Sequence, residues 1–198
     1  MSSQEFIVWA DVETTGIEDR DLKDGSQDQL LQVAILITDG DYNILDEAGF
    51  EAKVFYDESE TRFLRDELAN DFVRDMHTKT GLWDALPQGM FLDELDEAAF
   101  DYIHGIIGDA DRPRLGGNSI TLDRNFLREF LPKTFGSLHY RSYDVTSISG
   151  FMSKRVTAKD KYNKGETSHE ALDDIRGSIR EMKYWDGVLR SALEAKNA

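Results

Sequence analysis

Three strand-like segments near the start of the chain, followed by helical segments alternating with further strands, predict a mixed sheet with helices packed on it, an α/β or α+β layered fold. The opening stretch "FIVWADVETTG" (6–16) supplies the first strand, because Phe6 to Ala10 are five consecutive apolar residues. Such a run suits a strand covered on both faces. The stretch "LLQVAILITDGDYNILDEAGFEAKVF" (30–55) reads as two more strands joined at Asp39-Gly40, a hairpin signal.

The helices follow in order. "RFLRDELANDFVRDMHTKTGLW" (62–83) reads as one helix closed near Gly81. "LDELDEAAFDYIHGIIG" (92–108) is a second, with Leu95, Ala98, Ala99, Tyr102, Ile103 and Ile106 on its apolar side. "RPRLGGNS" gives a short strand, and "LDRNFLREFL" (122–131) a helix stopped by Pro132. "YRSYDVTSI" (140–148) reads as a strand. The final helix, "SHEALDDIRGSIREMKYW" (168–185), carries Leu172, Ile175, Ile179 and Met182 on one stripe. The polar, basic "SKRVTAKDKYNKGETSH" (153–169) between them reads as a loop. No repeat or linker interrupts the pattern, so residues 1–198 are expected to form one domain.

Composition narrows the function. The 198 residues are 40% hydrophobic and 31% charged, and no apolar run approaches the ~20 residues that span a bilayer. No basic region followed by an apolar one marks a signal peptide, and the chain has no cysteine, so a cytoplasmic location is expected. The formal charge of −16 makes a poor grip for long nucleic acid, whose non-specific binding depends on basic residues. The cysteine-free chain also has no GxSxG elbow and no GxxxxGK[ST] phosphate loop, which argues against covalent and P-loop chemistry. His77, His104 and His139 lack zinc-ligand spacing.

Against that background several residues break local rules. Asp11 and Glu13 are two apart on a strand and therefore share a face. Either the strand ends and Glu13 opens a polar turn, or a hard divalent cation joins the two carboxylates. Asp123 precedes Phe126, Leu127 and Phe130 by three, four and seven residues, which puts it on the buried side of its helix, unless it is an N-cap. His169 and Asp174 are five apart, ~140° around one helix. They converge only if Ser168 or His169 lies in the entering loop and Asp174 projects from the second turn. Ala171, Gly177 and Ser178 around Asp174 are small, whereas Asp173 faces Arg176 and Arg180 and reads as a solvent ion pair. Asp11, Glu13, Asp123 and Asp174 would suit two divalent ions ~4 Å apart, with His169 as a proton acceptor.

The order D-x-E, central Asp and late H-x4-D resembles the DEDDh 3′-to-5′ exonucleases. "WADVETTG", "HTKTGL", "GGNSITLDRNFL", "HYRSYDVTSI" and "SHEALDDIRGSI" extend the likeness to the oligoribonuclease family along nearly the whole chain. The resemblance implies a ribonuclease-H-like mixed sheet flanked by helices. It also implies two Mg²⁺ or Mn²⁺ ions, short single-stranded RNA of two to five residues as substrate, and a homodimer. By position, Asp11, Glu13, Asp123 and Asp174 correspond to metal ligands and His169 to the general base. Ile17 corresponds to a wedge against a base, and His77 to its partner histidine. Ser119, Arg141 and Thr146 correspond to a cap on the 5′ phosphate, and Tyr140 to a contact across the dimer. The segment "IEDRDLKDGSQDQLL" (17–31) is longer than the family's link, and "GLWDALPQGMFLDEL" (81–95) diverges. A DEDDh enzyme acting on DNA or longer strands is the alternative.

Overall fold

The computed structural model describes residues 5–16, 27–108, 112–156, 162–163 and 170–197. Ile17 and His169 lie outside the described residues, as do 18–26 of the longer link and Lys159, Lys161 and Lys164 of the basic segment.

Five strands form one sheet in the order β3-β2-β1-β4-β5. They are β1 (Phe6–Thr14), β2 (Leu30–Asp39), β3 (Phe50–Lys53), β4 (Arg114–Gly117) and β5 (Ser142–Asp144). β2 is antiparallel to β1 and β3, while β4 and β5 run parallel to β1. The sheet is therefore mixed, as the sequence predicts. β1 lies at its centre because Ile7, Val8, Trp9 and Ala10 are apolar towards both faces and at most 3% exposed.

Alternation along β1 sorts the two cores. Val8, Ala10 and Val12 pack with Leu95, Ala99 and Ile103 of α4 (Leu92–Ile107) and with Phe126 and Leu127 of α5 (Thr121–Phe130). On the other face, Ile7 and Trp9 meet Val145 of α7 (Val145–Met152) and Ala171, Ile175, Ile179 and Met182 of α8 (Ala171–Asn197). A third cluster joins Leu31 to α1 (Glu58–Phe63), α2 (Asp71–Thr80) and α3 (Leu82–Ala85) through Leu64, Leu82 and Trp83. The last helix, α6 (Pro132–Ser137), completes the set among the described residues.

Four elements differ from the sequence reading, each for a local reason. The 62–83 helix is broken: residues 64–68 widen into a π turn, Ala69 is extended, and Asn70 caps α2 by accepting from the Val73 N–H. Gly81 then ends α2 with φ of 74°, a conformation glycine adopts without steric cost. Pro132 does not only stop α5; it opens α6, whose second and third N–H groups donate to the buried Asp96 carboxylate at 2.8 Å each. The 140–148 strand stops at Asp144. That side chain accepts from the Ser147 backbone N–H and hydroxyl and turns the chain into α7. After the Asp39 turn, Ile44 makes one bridge to Thr38, and pairing resumes only at Phe50. Helix α8 also continues past Trp185 to Asn197.

Candidate active site

The face of β1 that buries Ile7 and Trp9 continues upward as Asp11 and Glu13. Both carboxylates therefore emerge on the side covered by α8. Across the sheet, Asp11 is level with Ala34 and Glu51, and Glu13 with Gln32 and Lys53. Asp174 stands in the first turn of α8, above this face, with buried Ala171 and Ser178 near it on the helix. The small neighbours keep the face open, as the sequence pattern requires. Asp173 is exposed and pairs with Arg176 at 3.4 Å, on the outer side predicted for it.

Asp123 arrives from a different element. The pairing of β1 with β4 ends at Trp9, so further along, β1 has a free edge on that side. Asp123 fills it: its Oδ1 accepts the Val12 N–H at 3.0 Å, and the residue is 5% exposed. This replaces the N-cap reading of Asp123, since the residue sits inside the first turn of α5 and serves a strand. Glycine lets β4 itself pack closely on β1, because a Cβ on Gly116 would lie 2.9 Å from the Trp9 ring.

The acids act on one another. Burial, and then the charges of Asp174 and Asp123, push the Glu13 carboxyl up to about 7. Burial pushes Asp123 up to about 7 as well, against the opposing Val12 hydrogen bond. Carboxyls kept protonated near neutrality by burial and each other are a donor set that a hard dication restores to the charged form. Among the described residues no three histidine, cysteine or acidic side chains stand close enough together to hold a metal ion, so the acids face one another without forming a ready-made cage. By chemical type, Asp11, Glu13, Asp123 and Asp174 fit Mg²⁺ or Mn²⁺.

A pH dependence follows. Glu13 and Asp123 hold their protons more tightly folded (about 7) than at their ordinary values of 4.5 and 3.8. The folded state thus binds extra protons between about pH 4 and 7, and stability falls as pH rises through that window. In EDTA the protein is expected to melt several degrees lower at about pH 8 than at about pH 5.5. Mg²⁺ should narrow the gap because it binds the folded form. Asp123→Asn should flatten the slope in thermal unfolding.

His77 lies beneath Glu13. It is 1% exposed; its Nε2–H donates to the Thr14 carbonyl at 3.0 Å, and its Nδ1 stands 3.8 Å from Glu13 Oε2. Burial holds it below the usual histidine range, so at neutral pH this contact is not an ion pair. Its ring meets the edge of Trp83. That placement ties His77 to the strand end that carries Glu13 and Thr14.

Ser119 and Thr146 come together. Their hydroxyls are 3.3 Å apart, and the Ser119 N–H donates to Thr146 Oγ1 at 3.0 Å. Ser119 adopts a φ of 50°, which aims its N–H at Thr146 and Asp144. Asn118 joins Thr146 to Ser178, and Ser178 donates to the Asp174 carbonyl, so one chain of hydrogen bonds ties this pair to α8. Tyr140 and Arg141 are exposed and stack on each other, with 5.2 Å from guanidinium to ring. They precede β5, at the end opposite Thr146.

The sequence reading passed over Gln32. Its signal was a polar residue inside the apolar run of β2, level with Glu13.

Known proteins resemble this chain in sequence and in fold. Residues 8–182 match the exonuclease (RNase T) family model. The oligoribonuclease of Leifsonia xyli subsp. xyli is 36% identical over 186 residues, 93% of this chain and 84% of that protein. That of Cutibacterium acnes is 36% identical over 187 residues, 93% and 86% of the two chains. Among solved structures, exonuclease I of Methylocaldum szegediense superposes with a TM-score of 0.63 at 16% identity, over 91% of this chain and 40% of that one. E. coli exonuclease I in complex with a 5cy-dT13 oligonucleotide gives 0.57 at 13%, over 94% and 43%. This chain thus spans less than half the length of those two structures, whose likeness shows a ribonuclease-H-like DEDD exonuclease fold. With that fold and with matching relatives along nearly its whole length, the chain belongs to the exonuclease (RNase T) family.

Proposed function

We propose that this protein is a 3′-to-5′ exoribonuclease, one domain over residues 1–198, that hydrolyses short oligoribonucleotides, dinucleotides above all, to mononucleotides. The observation that carries the reading is the electrostatic convergence of Glu13, Asp123 and Asp174 from three distant elements. The relatives named oligoribonuclease support RNA as the substrate.

Two divalent ions held by Asp11, Glu13, Asp123 and Asp174 would supply charge stabilisation for an in-line phosphoryl displacement and activate the attacking water. The chain's own residues do the rest. His169 takes the proton from that water. The Val12 N–H fixes the rotamer of Asp123, and His77 fixes the strand end that carries Glu13. The Ser119 and Thr146 hydroxyls offer short, directed donors to a terminal 5′ phosphate. Arg141 joins them at that phosphate, and Tyr140 reaches the substrate from a second copy of the chain, in keeping with a cytoplasmic homodimer. Ile17 takes the part of the apolar wedge against a base that the family resemblance implies.

The net charge of −16 favours a small substrate over a long polyanion. The test is hydrolysis of 5′-phosphorylated RNA two, four and seven residues long with Mn²⁺. Cleavage fastest at length two supports the capped site. Equal or faster cleavage of the seven-mer indicates an open groove, and equal rates on DNA indicate the alternative DEDDh exonuclease of DNA or longer strands.

A further inference from the structure

Beside Glu13 the α8 face of the sheet opens into a cavity of about 280 Å³. Its walls are Glu13, Gln32, Glu51 and Lys53 from the three antiparallel strands, Thr80 and Leu82 at the α2–α3 turn, and Glu170 and Ala171 at the start of α8. Gln32 stands between Glu13 and Lys53 in one cross-strand row. It is 8% exposed, yet among the described residues its amide makes no hydrogen bond. Lys53 is already joined to Glu51 at 3.1 Å. Its amide is open to the cavity, where a bound polar group can pair with it.

We propose that Gln32 reads the ribose of the 3′-terminal nucleotide, and that this contact sets the preference for RNA over DNA. The inference rests on the exoribonuclease reading above. In 3′-to-5′ hydrolysis the terminal nucleotide leaves with the scissile phosphate on its own 5′ oxygen. Its sugar is thus the first group beyond the phosphate held at Glu13. Gln32 is one strand away, ~4.8 Å. The cavity suits a sugar better than the other parts of a nucleotide. Three acids and one paired lysine repel a phosphate. Among the described residues no aromatic side chain lines it, whereas bases bind by stacking. It is also smaller than the ~300–1,000 Å³ of sites for drug-sized ligands. A hydroxyl both donates and accepts, and so does a glutamine amide. The 2′ hydroxyl is the group that separates RNA from DNA.

The test compares kcat/KM for a 5′-phosphorylated RNA dinucleotide with that for the same molecule bearing a 2′-deoxy terminal residue. Gln32→Leu should slow the all-ribose substrate about tenfold and the deoxy substrate less than about twofold, so the ratio collapses. Inhibition by adenosine 5′-monophosphate relative to its 2′-deoxy analogue should lose its preference in parallel. Gln32→Met, which keeps the unbranched length and removes both amide donor and acceptor, gives the same comparison if the leucine variant does not fold. An unchanged ratio in a wild type that prefers ribose overturns the Gln32 assignment alone. Equal slowing of both substrates also overturns it, in favour of a structural role. A wild type that cleaves no RNA overturns the exoribonuclease reading instead.

Discussion

Asp123→Asn is expected to lower turnover of a 5′-phosphorylated RNA dinucleotide by about 10³-fold while the protein stays folded. A metal ion supplies several kcal/mol of transition-state stabilisation, and each ~1.4 kcal/mol is a factor of ten in rate. Losing ~4 kcal/mol by removing one ligand's charge gives the expected loss. Asparagine keeps an oxygen for the Val12 N–H that Asp123 now accepts at 3.0 Å, so the free edge of β1 stays satisfied. Asp174→Asn should behave alike. Asp173→Asn is the control: its carboxylate is exposed and holds only Arg176 at 3.4 Å. Such surface pairs contribute ~0.2–1 kcal/mol, so turnover should change by less than about twofold. Steady-state kinetics beside thermal unfolding will separate the cases. A large loss at Asp173 would overturn the placement of the α8 faces.

The adjacent acids of β1 show how a local conflict in sequence points to function. Val8, Ala10 and Val12 and then Ile7 and Trp9 bury both faces, and Asp11 and Glu13 interrupt only the face under α8. Alternation alone put them on a shared face, and that much is local geometry. The same holds for Asp123, whose helix stripe placed it inward, and for Asp173 and Asp174, which the α8 stripe sent to opposite sides. Each depends on periodicity within one element, which sequence carries directly.

Contacts that depend on register or on caps were less legible. Asp144 caps α7 through Ser147, three residues on, a signal hidden among the strand-forming Tyr143, Val145 and Ile148. Asn70 did the same inside the 62–83 helix. The place of Gln32 beside Glu13 required the β1–β2 pairing, and the depth of His77 required the packing of α2 and Trp83 against the strand end. Arg141 and Thr146, which the family resemblance assigns to one phosphate cap, lie on either side of the short strand β5, a separation that only the pairing of β5 with β4 defines. A pattern within one segment does not contain these relations, because the partner lies tens of residues away.

His169→Ala is expected to lower kcat by about 10²–10⁴ while leaving Mg²⁺ uptake near the wild-type value. The first turn of α8 motivates this division of labour. The Asp173 and Asp174 N–H groups donate to the Glu170 carbonyl at 2.9 and 3.0 Å, so the helix begins just after His169 and holds Asp174 rigidly. An imidazole has an unperturbed pKa of ~6.5, so the wild-type pH–rate profile should rise through the neutral range as the base loses its proton. In the alanine variant that limb should vanish. Titration calorimetry with Mg²⁺ provides the second readout. If metal uptake falls together with kcat, His169 is a ligand or a structural residue and the proton goes elsewhere. If uptake holds and the limb disappears, the acids position the phosphate and the histidine moves the proton.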